Sequence, residues 1–270
     1  MTPDTFSAIV EVVYARTGIV LDESKRYLIE TRLHPQAREL GVGDLDALVA
    51  SMRPGSEVEK RVVESLTTNE TSFFRDLALF QGLEQEVLPS LIERRRATRR
   101  LRIWSAACST GQEAYSVLLL LASKFPELDD WDVRVVGTDV NETVLAQATR
   151  GLYSQLEVNR GLPAPMLVKY FERQGRDWQI RPELRRRLEA RPLNLTAPWP
   201  MLGSFDLVFV RNVLIYFDED ARVGILHRLR KAVATDGWLF LGGAETVRGA
   251  DTSWERQPVG KAFGYAPRRV

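Results

Sequence analysis

The chain has 270 residues, 44% of them apolar and 27% charged, an ordinary globular composition that excludes a disordered tail, a collagenous repeat or a disulfide scaffold. That length suits one large or two unequal domains. Lys and Arg number 37 against 36 Asp and Glu, for a net charge of +1, so no global positive field exists to hold a polyanion and nucleic acid is not an expected partner.

The N-terminus, MTPDTFSAIVEVV, lacks the basic start of a signal peptide. From residue 5 to about 74 the pattern is helical, with apolar residues at three- and four-residue spacing in Phe6, Ile9, Val10 and Val13 and again in Leu45, Leu48 and Val49. Gly41-Val42-Gly43 and Pro54-Gly55-Ser56 supply breaks. Residues 1–75 therefore read as a small all-helical domain. Within it, DESKRYLIETRLHPQAREL carries Lys25, Arg26, Arg32 and Arg38, either a solvated face or a cationic strip that an acidic partner helix could meet. Pro35 is expected to kink that strip or split it into two helices. Residues 76–100 read as a linker, helical over 83–96. Its run of arginines, 94–96 and 99–100, reads as a solvated helix end interacting with the macrodipole.

After residue 101 the texture changes to short apolar runs alternating with amphipathic helices. Strands are expected at 101–105, 133–138, 205–210 and 238–242, and helices at 112–123, 142–149 and 218–234. Strands apolar on both faces belong to a parallel sheet covered by helices, so residues 101–270 read as a doubly wound α/β domain. Residues 169–194, KYFERQGRDWQIRPELRRRLEARPLN, read as a small antiparallel β-subdomain, about 168–192. The longest apolar run, 117–122, falls far short of the ~20 residues that span a bilayer, so no membrane insertion is expected.

In an open α/β sheet, ligands sit at the carboxyl ends of the strands. The first strand ends in Ser105-Ala106-Ala107-Cys108-Ser109-Thr110-Gly111-Gln112-Glu113, small residues that let a ligand approach the backbone. With Gly111 as its only glycine this is no G-x-G-x-x-G, and an acid in the first helical turn disfavours pyrophosphate while suiting an amine. Glu113 could equally close a capping box with Thr110. The second strand ends in Gly137-Thr138-Asp139, where Asp139 either accepts from a ribose diol or caps the following helix. A ribose-binding acid beside a loop without phosphate geometry suggests S-adenosylmethionine. Cys108, the single cysteine, cannot form an internal disulfide, and with only His34 and His227 beside it no His/Cys metal cage can be assembled. A reducing cytoplasm fits. Two further segments place polar groups where a site could use them: 67–75, TTNETSFFR, and 205–217, FDLVFVRNVLIYF. The first could instead be a capped turn whose phenylalanines pack between domains.

TTNETSFFRD (67–76), IWSAACSTGQEAYS (103–116), GTDVN (137–141), LNL (193–195) and FDLVFVRNVLIYF (205–217), in this order and spacing, resemble the CheR-type chemotaxis receptor methyltransferases. The resemblance implies a helical N-terminal domain, a linker and a Rossmann-like S-adenosylmethionine-dependent methyltransferase domain with a small β-subdomain. It implies methyl transfer to glutamate side chains in the cytoplasmic helical region of chemoreceptors, with S-adenosylhomocysteine as product, no metal, and a monomer. A scaffold that binds the cofactor without transfer is the alternative. By position, Asn69, Thr71 and Arg75 would flank the cofactor's methionine end, Glu113 its amino acid portion and Asp139 its ribose. Asn194 and Leu195 would lie near the adenine, Arg211 and Asn212 along the cleft, and Tyr216 would face the transfer point, with Arg75 and Tyr216 as catalytic residues. Ala114 stands where proline is common in the family, and Gln112 where many members carry Glu. Members that capture a receptor's C-terminal pentapeptide on the β-subdomain carry a longer loop there than Gln174-Gly175-Arg176-Asp177, so no such tether is expected.

Overall fold

The computed structural model describes residues 1–247 and 252–268. Four helices open the chain: α1 (Pro3–Thr17), α2 (Arg26–Glu39), α3 (Leu45–Ser51) and α4 (Glu57–Leu66). They close on a core that includes Ile9, Val13, Ile29, Leu33, Leu48, Val62 and Leu66. Thr2, Asp44 and Ser56 cap α1, α3 and α4 by accepting from the N–H of Thr5, Ala47 and Glu59, donors with no intrahelical partner. Pro35 does not split the segment, since α2 continues through it as one helix: burial of Ile29, Leu33 and Ala37 along one face outweighs the single lost donor. α1 stops at Gly18 (φ +74°), where a Cβ would lie 2.3 Å from Thr196 Cγ2. Only glycine allows both the left-handed cap and this close approach of the following unit.

Residues 67–76 form turns leading into α5 (Leu77–Gly82), one π-helical stretch (Leu83–Val87) and α6 (Leu88–Arg95). In this stretch, read above as a linker, Leu79, Phe80, Leu83, Leu88 and Leu91 are buried in one cluster with Leu101 and Ile103 of the first strand. Nor does the arginine run simply face water. Arg95 donates from Nε to Asp206 at 2.6 Å and from Nη1 and Nη2 to Asp236 at 2.9 and 2.6 Å, tying α6 to two later strands.

The remaining elements are β1 (Arg100–Ala106), α7 (Gln112–Lys124), β2 (Asp132–Asp139), α8 (Glu142–Arg150), β3 (Leu152–Tyr153), α9 (Gln155–Asn159), α10 (Ala164–Tyr170), β4 (Phe171–Gln174), β5 (Asp177–Ile180), α11 (Pro182–Arg185), β6 (Leu188–Pro192), β7 (Phe205–Val210), α12 (Glu219–Ala232), β8 (Val233–Leu241), β9 (Trp254–Val259) and β10 (Ala262–Pro267). The main sheet has seven strands in the order β6-β2-β1-β7-β8-β10-β9. The first five are parallel, and β10 runs antiparallel to β8 and β9. One face packs under α5, α6 and α7, the other under α12. The small sheet, β3-β5-β4, differs from the expected subdomain. Residues 188–192 belong to the main sheet, paired with β2, and β3 from 152–153 supplies the third short strand. No helix among the described residues is long and apolar enough to cross a membrane.

Away from the cleft, Arg95 makes a largely buried ion pair, since its side chain is 18% exposed and that of Asp206 only 9%. Arg95→Ala should lower stability by about 3 kcal/mol, because a nearly buried carboxylate then loses its cation. The hydrogen bond from Arg95, its largest influence, holds the Asp236 carboxyl below its ordinary value against the opposing effect of burial. That contribution is complete above the unfolded carboxylate value near ~4 and is lost as pH falls through the lower folded value. Urea titrations of both forms at neutral and acidic pH should therefore converge at the acidic end.

Candidate functional site

β1 runs outward to β2 and β6 on one side, and β7 lies on its other side, so the strand order reverses between β1 and β7. Loops leaving these strand ends must diverge, which opens a crevice there. A cleft of about 870 Å³, part of it open to solvent, occupies the place and is roofed by 67–75. All ten candidate residues line it: Asn69, Thr71, Arg75, Glu113, Asp139, Asn194, Leu195, Arg211, Asn212 and Tyr216.

The floor is built by backbone held in unusual conformations. Ala107 and Ser109 both take positive φ, 53° and 51°, and so turn successive N–H groups toward the β2 end. Asp139, 7% exposed, accepts from Ser109 N at 2.9 Å and Asn141 N at 3.0 Å. Burial pushes its carboxyl up, while N–H donors from Ser109, Val140 and Asn141 pull the other way. The helix-cap alternative fails here, since Asn141 caps α8 by accepting from Thr143 and Val144. The capping-box alternative for Glu113 fails too. α7 starts from Gly111 at φ 92°, and Glu113 turns to Ser105 Oγ at 2.7 Å and Arg211 Nη1 at 2.9 Å.

Arg211 ends β7 with a side chain only 2% exposed. Besides Glu113 it donates to the Asp76 carboxylate and to Arg75 O at 3.2 Å, while its buried Nε has no partner among the described residues. One guanidinium thus joins the start of α7, the end of β7 and the roof. The roof is pinned elsewhere as well: Phe74 N donates to Ser116 Oγ at 2.8 Å, Ser109 Oγ to Asn69 O at 2.8 Å and Asn141 Nδ2 to Thr67 Oγ1 at 2.9 Å. Phe73 meets Tyr153 and Phe171 edge-on, with centroids 5.1 and 5.9 Å apart, so the phenylalanines do pack as anchors. Arg75 reaches Glu70 O at 3.2 Å.

The opposite wall is carried by the helical unit. Asn194 donates to Arg16 O at 2.9 Å, Val20 N donates to Tyr216 O at 2.9 Å and Tyr14 donates to Asp218 at 2.7 Å. Val140 and Phe217 line the cleft, as do Thr17 and Ile19 at the end of α1, which lie outside every motif read from the sequence. Glu245 was likewise overlooked. Its carboxylate accepts from four backbone N–H groups, those of Asn212, Val213, Leu214 and Gly242, at 2.7–2.8 Å, and so holds the 212–214 turn in which Asn212 sits at φ 59°. The glycine pair 242–243 just before it, at a strand end, was its only signal. Cys108 is buried, and desolvation pushes its thiol well above its usual value, with Asp139 and Glu113 adding to the effect. Among the described residues no three His, Cys, Asp or Glu side chains gather as metal ligands would.

Two family models match the chain in tandem: the CheR methyltransferase all-alpha domain over residues 4–67 and the CheR methyltransferase SAM binding domain over 69–262. The chain is 40% identical over 238 residues to chemotaxis protein methyltransferase 1 of Pseudomonas aeruginosa, covering 85% of each. It is 38% identical over 239 residues to chemotaxis protein methyltransferase Cher2 of Pseudomonas putida, 86% of each. To chemotaxis protein methyltransferase 1 of Vibrio cholerae it is 34% identical over 247 residues, 89% of this chain and 88% of that one. With both family models matched in succession and such identities along most of its length, the chain belongs to the CheR methyltransferase family.

Proposed function

We propose that this protein moves a methyl group from S-adenosylmethionine to glutamate side-chain carboxylates on the cytoplasmic helical region of chemoreceptors, giving glutamyl methyl esters. Beyond family membership, the observation that carries the reading is the pairing of a buried, cation-free carboxylate with a reacting side that holds Arg75 and Tyr216. Asp139 is satisfied only by backbone N–H groups, which leaves acceptor capacity in a crevice wall for a ribose diol. No glycine-rich cradle for phosphate accompanies it, which suits an unphosphorylated nucleoside. Glu113 keeps lone pairs beside Ser105 and Arg211 for an ammonium group, Asn69 and Thr71 extend that end, and Leu195 offers an apolar wall for a base.

S-adenosylmethionine bound in this cleft supplies an electrophilic sulfonium methyl and leaves as S-adenosylhomocysteine. A glutamate carboxylate, with an ordinary pKa of about 4.3, is already an anion at neutral pH and needs no general base. Neither His34 nor His227 lines the cleft, and the protonated Cys108 thiol is no nucleophile. The chain's task is thus to position and desolvate. Arg75 can orient the acceptor carboxylate through its guanidinium, Tyr216 can donate to it from the opposite lip, and Arg211 keeps both lips in place. The β4–β5 hairpin turns within Gly175 and Arg176, a tightness that supports recognition without a peptide tether.

Incubation with labelled S-adenosylmethionine and receptor-containing membranes should give a base-labile label on glutamate; a base-stable label would exclude the ester. Arg75→Ala and Tyr216→Phe should each lower turnover on the order of a hundredfold with product affinity nearly intact, as expected for contacts made mainly in the transition state. Asp139→Ala should weaken S-adenosylhomocysteine binding by about 1–3 kcal/mol in titration calorimetry. Because burial raises the Asp139 carboxyl, wild-type affinity should fall on acidification already above the ordinary carboxylate range. That step should vanish in the variant.

A further inference from the structure

Beside the cleft, over the ends of β8 and β10, lies a second groove of about 730 Å³. Arg211 lines both spaces, so they are neighbours across one side chain. The groove's acids are already committed, Asp76 to Arg211 and Glu245 to four backbone N–H groups. Its rim cations are not. Among the described residues neither Arg256 nor Lys261 has a carboxylate partner, and both are exposed. Arg256 is held over the Phe263 ring at 3.5 Å from the centroid, which fixes its head at the rim. Phe263 and, at the start of α5, Leu77 leave 47% and 59% of their surfaces exposed.

We infer that this groove seats a second acidic side chain of the same acceptor segment, one not being methylated, with Arg256 and Lys261 as its cationic contacts and Phe263 and Leu77 as apolar neighbours. The inference rests on the proposed acceptor, a helix bearing several glutamates. Three features favour that occupant. The groove continues from the cleft on the side away from the nucleoside pocket, so a segment presenting one carboxylate near Arg75 and Tyr216 has this surface next along its path. The floor is electrostatically satisfied while the rim carries two cations without a carboxylate partner among the described residues, which complements an acidic ligand and fixes register more than raw affinity. The exposed Phe263 ring beneath Arg256, with exposed Leu77 next in the chain to the groove-lining Asp76, matches the apolar positions that alternate with acids on an amphipathic helix. The contact also has a chemical consequence. A methyl ester carries no charge, so a neighbouring glutamate already methylated loses its attraction to the rim, and the groove makes the enzyme sensitive to the state of the adjoining site.

The test is steady-state methylation of a soluble receptor cytoplasmic fragment by the full chain, its Arg256→Glu/Lys261→Glu double variant and the milder Arg256→Ala/Lys261→Ala pair, with S-adenosylhomocysteine affinity measured alongside. Charge reversal should raise KM for the fragment about tenfold and flatten its salt dependence, with kcat and product affinity unchanged. Replacing the fragment's non-methylated glutamates with glutamine should erase the difference between enzymes. An unchanged KM in the double variant, with base-labile esters formed by the wild type, overturns the groove assignment alone. Absence of such esters in the wild type overturns the proposed acceptor and the groove with it. Should charge reversal impair product binding, and hence folding, the alanine pair decides by the same KM comparison.

Discussion

The arrangement turns on a single buried cation. Removing the Arg211 guanidinium from water costs several kcal/mol, and the cost is met by Glu113, Asp76 and the Arg75 carbonyl. These partners come from three places: the first turn of α7, the roof segment and the bend into α5. A shift of any of them takes a hydrogen bond from a guanidinium that is only 2% exposed, so the geometry of the roof is coupled to the end of β7. Asp76 and Phe74 take positive φ, 65° and 48°, a strained backbone that persists only where its surroundings over-determine it. The Arg211 pairs and the Ser116 hydroxyl beneath Phe74 N supply that determination.

The helical unit is then part of the site as well as its neighbour. α1 ends where Gly18 meets Thr196, and within a few residues its backbone receives Asn194 and holds Tyr216. α4 joins in through Glu64, which accepts from Glu142 N at 3.1 Å and Thr143 Oγ1 at 2.8 Å at the start of α8. The cleft wall is therefore completed by residues from both units, and a partner that loads α1 acts on an element directly bonded to the 194–196 and 216–218 turns, while one that loads α2 reaches the start of the roof. Arg32, one of the cations in the α2 strip, already points this way by donating to Thr67 O at 2.9 Å.

Much of this was legible in the sequence because the signals were local. Apolar runs such as 205–210 are buried on both faces whatever the details, and polar residues at their carboxyl ends must meet a crevice. Four things were not local. Strand β6 reads LEARP, polar enough for an exposed strand, and only its pairing with β2 makes it the edge of the main sheet. The β9–β10 hairpin carries charges on its outer face and packs through few positions, among them Trp254, Val259 and Tyr265, a pattern too sparse to announce strands. Arg95 looked like solvated charge because its partners, Asp206 and Asp236, lie more than a hundred residues away. Glu245 escaped for the same reason: three of the four N–H groups it serves lie more than thirty residues away, which leaves no signature at its own position.

The two halves of the sheet's carboxyl end carry different electrostatic problems, and the fold separates them with Arg211. On the β1–β2 side, uncompensated carboxylate character at Asp139 suits neutral hydroxyl donors. On the β8–β10 side, acids are neutralised at the floor and the rim cations have no carboxylate partner among the described residues, which suits anions. In the proposed reaction a neutral or cationic nucleoside end and an anionic acceptor would meet from opposite directions, with little incentive to exchange places. For the proposed reaction, with an anionic oxygen in line with a sulfonium carbon and no proton transfer before attack, such segregation of charge adds to positioning and desolvation. It explains how a site without a histidine can be well equipped for its chemistry.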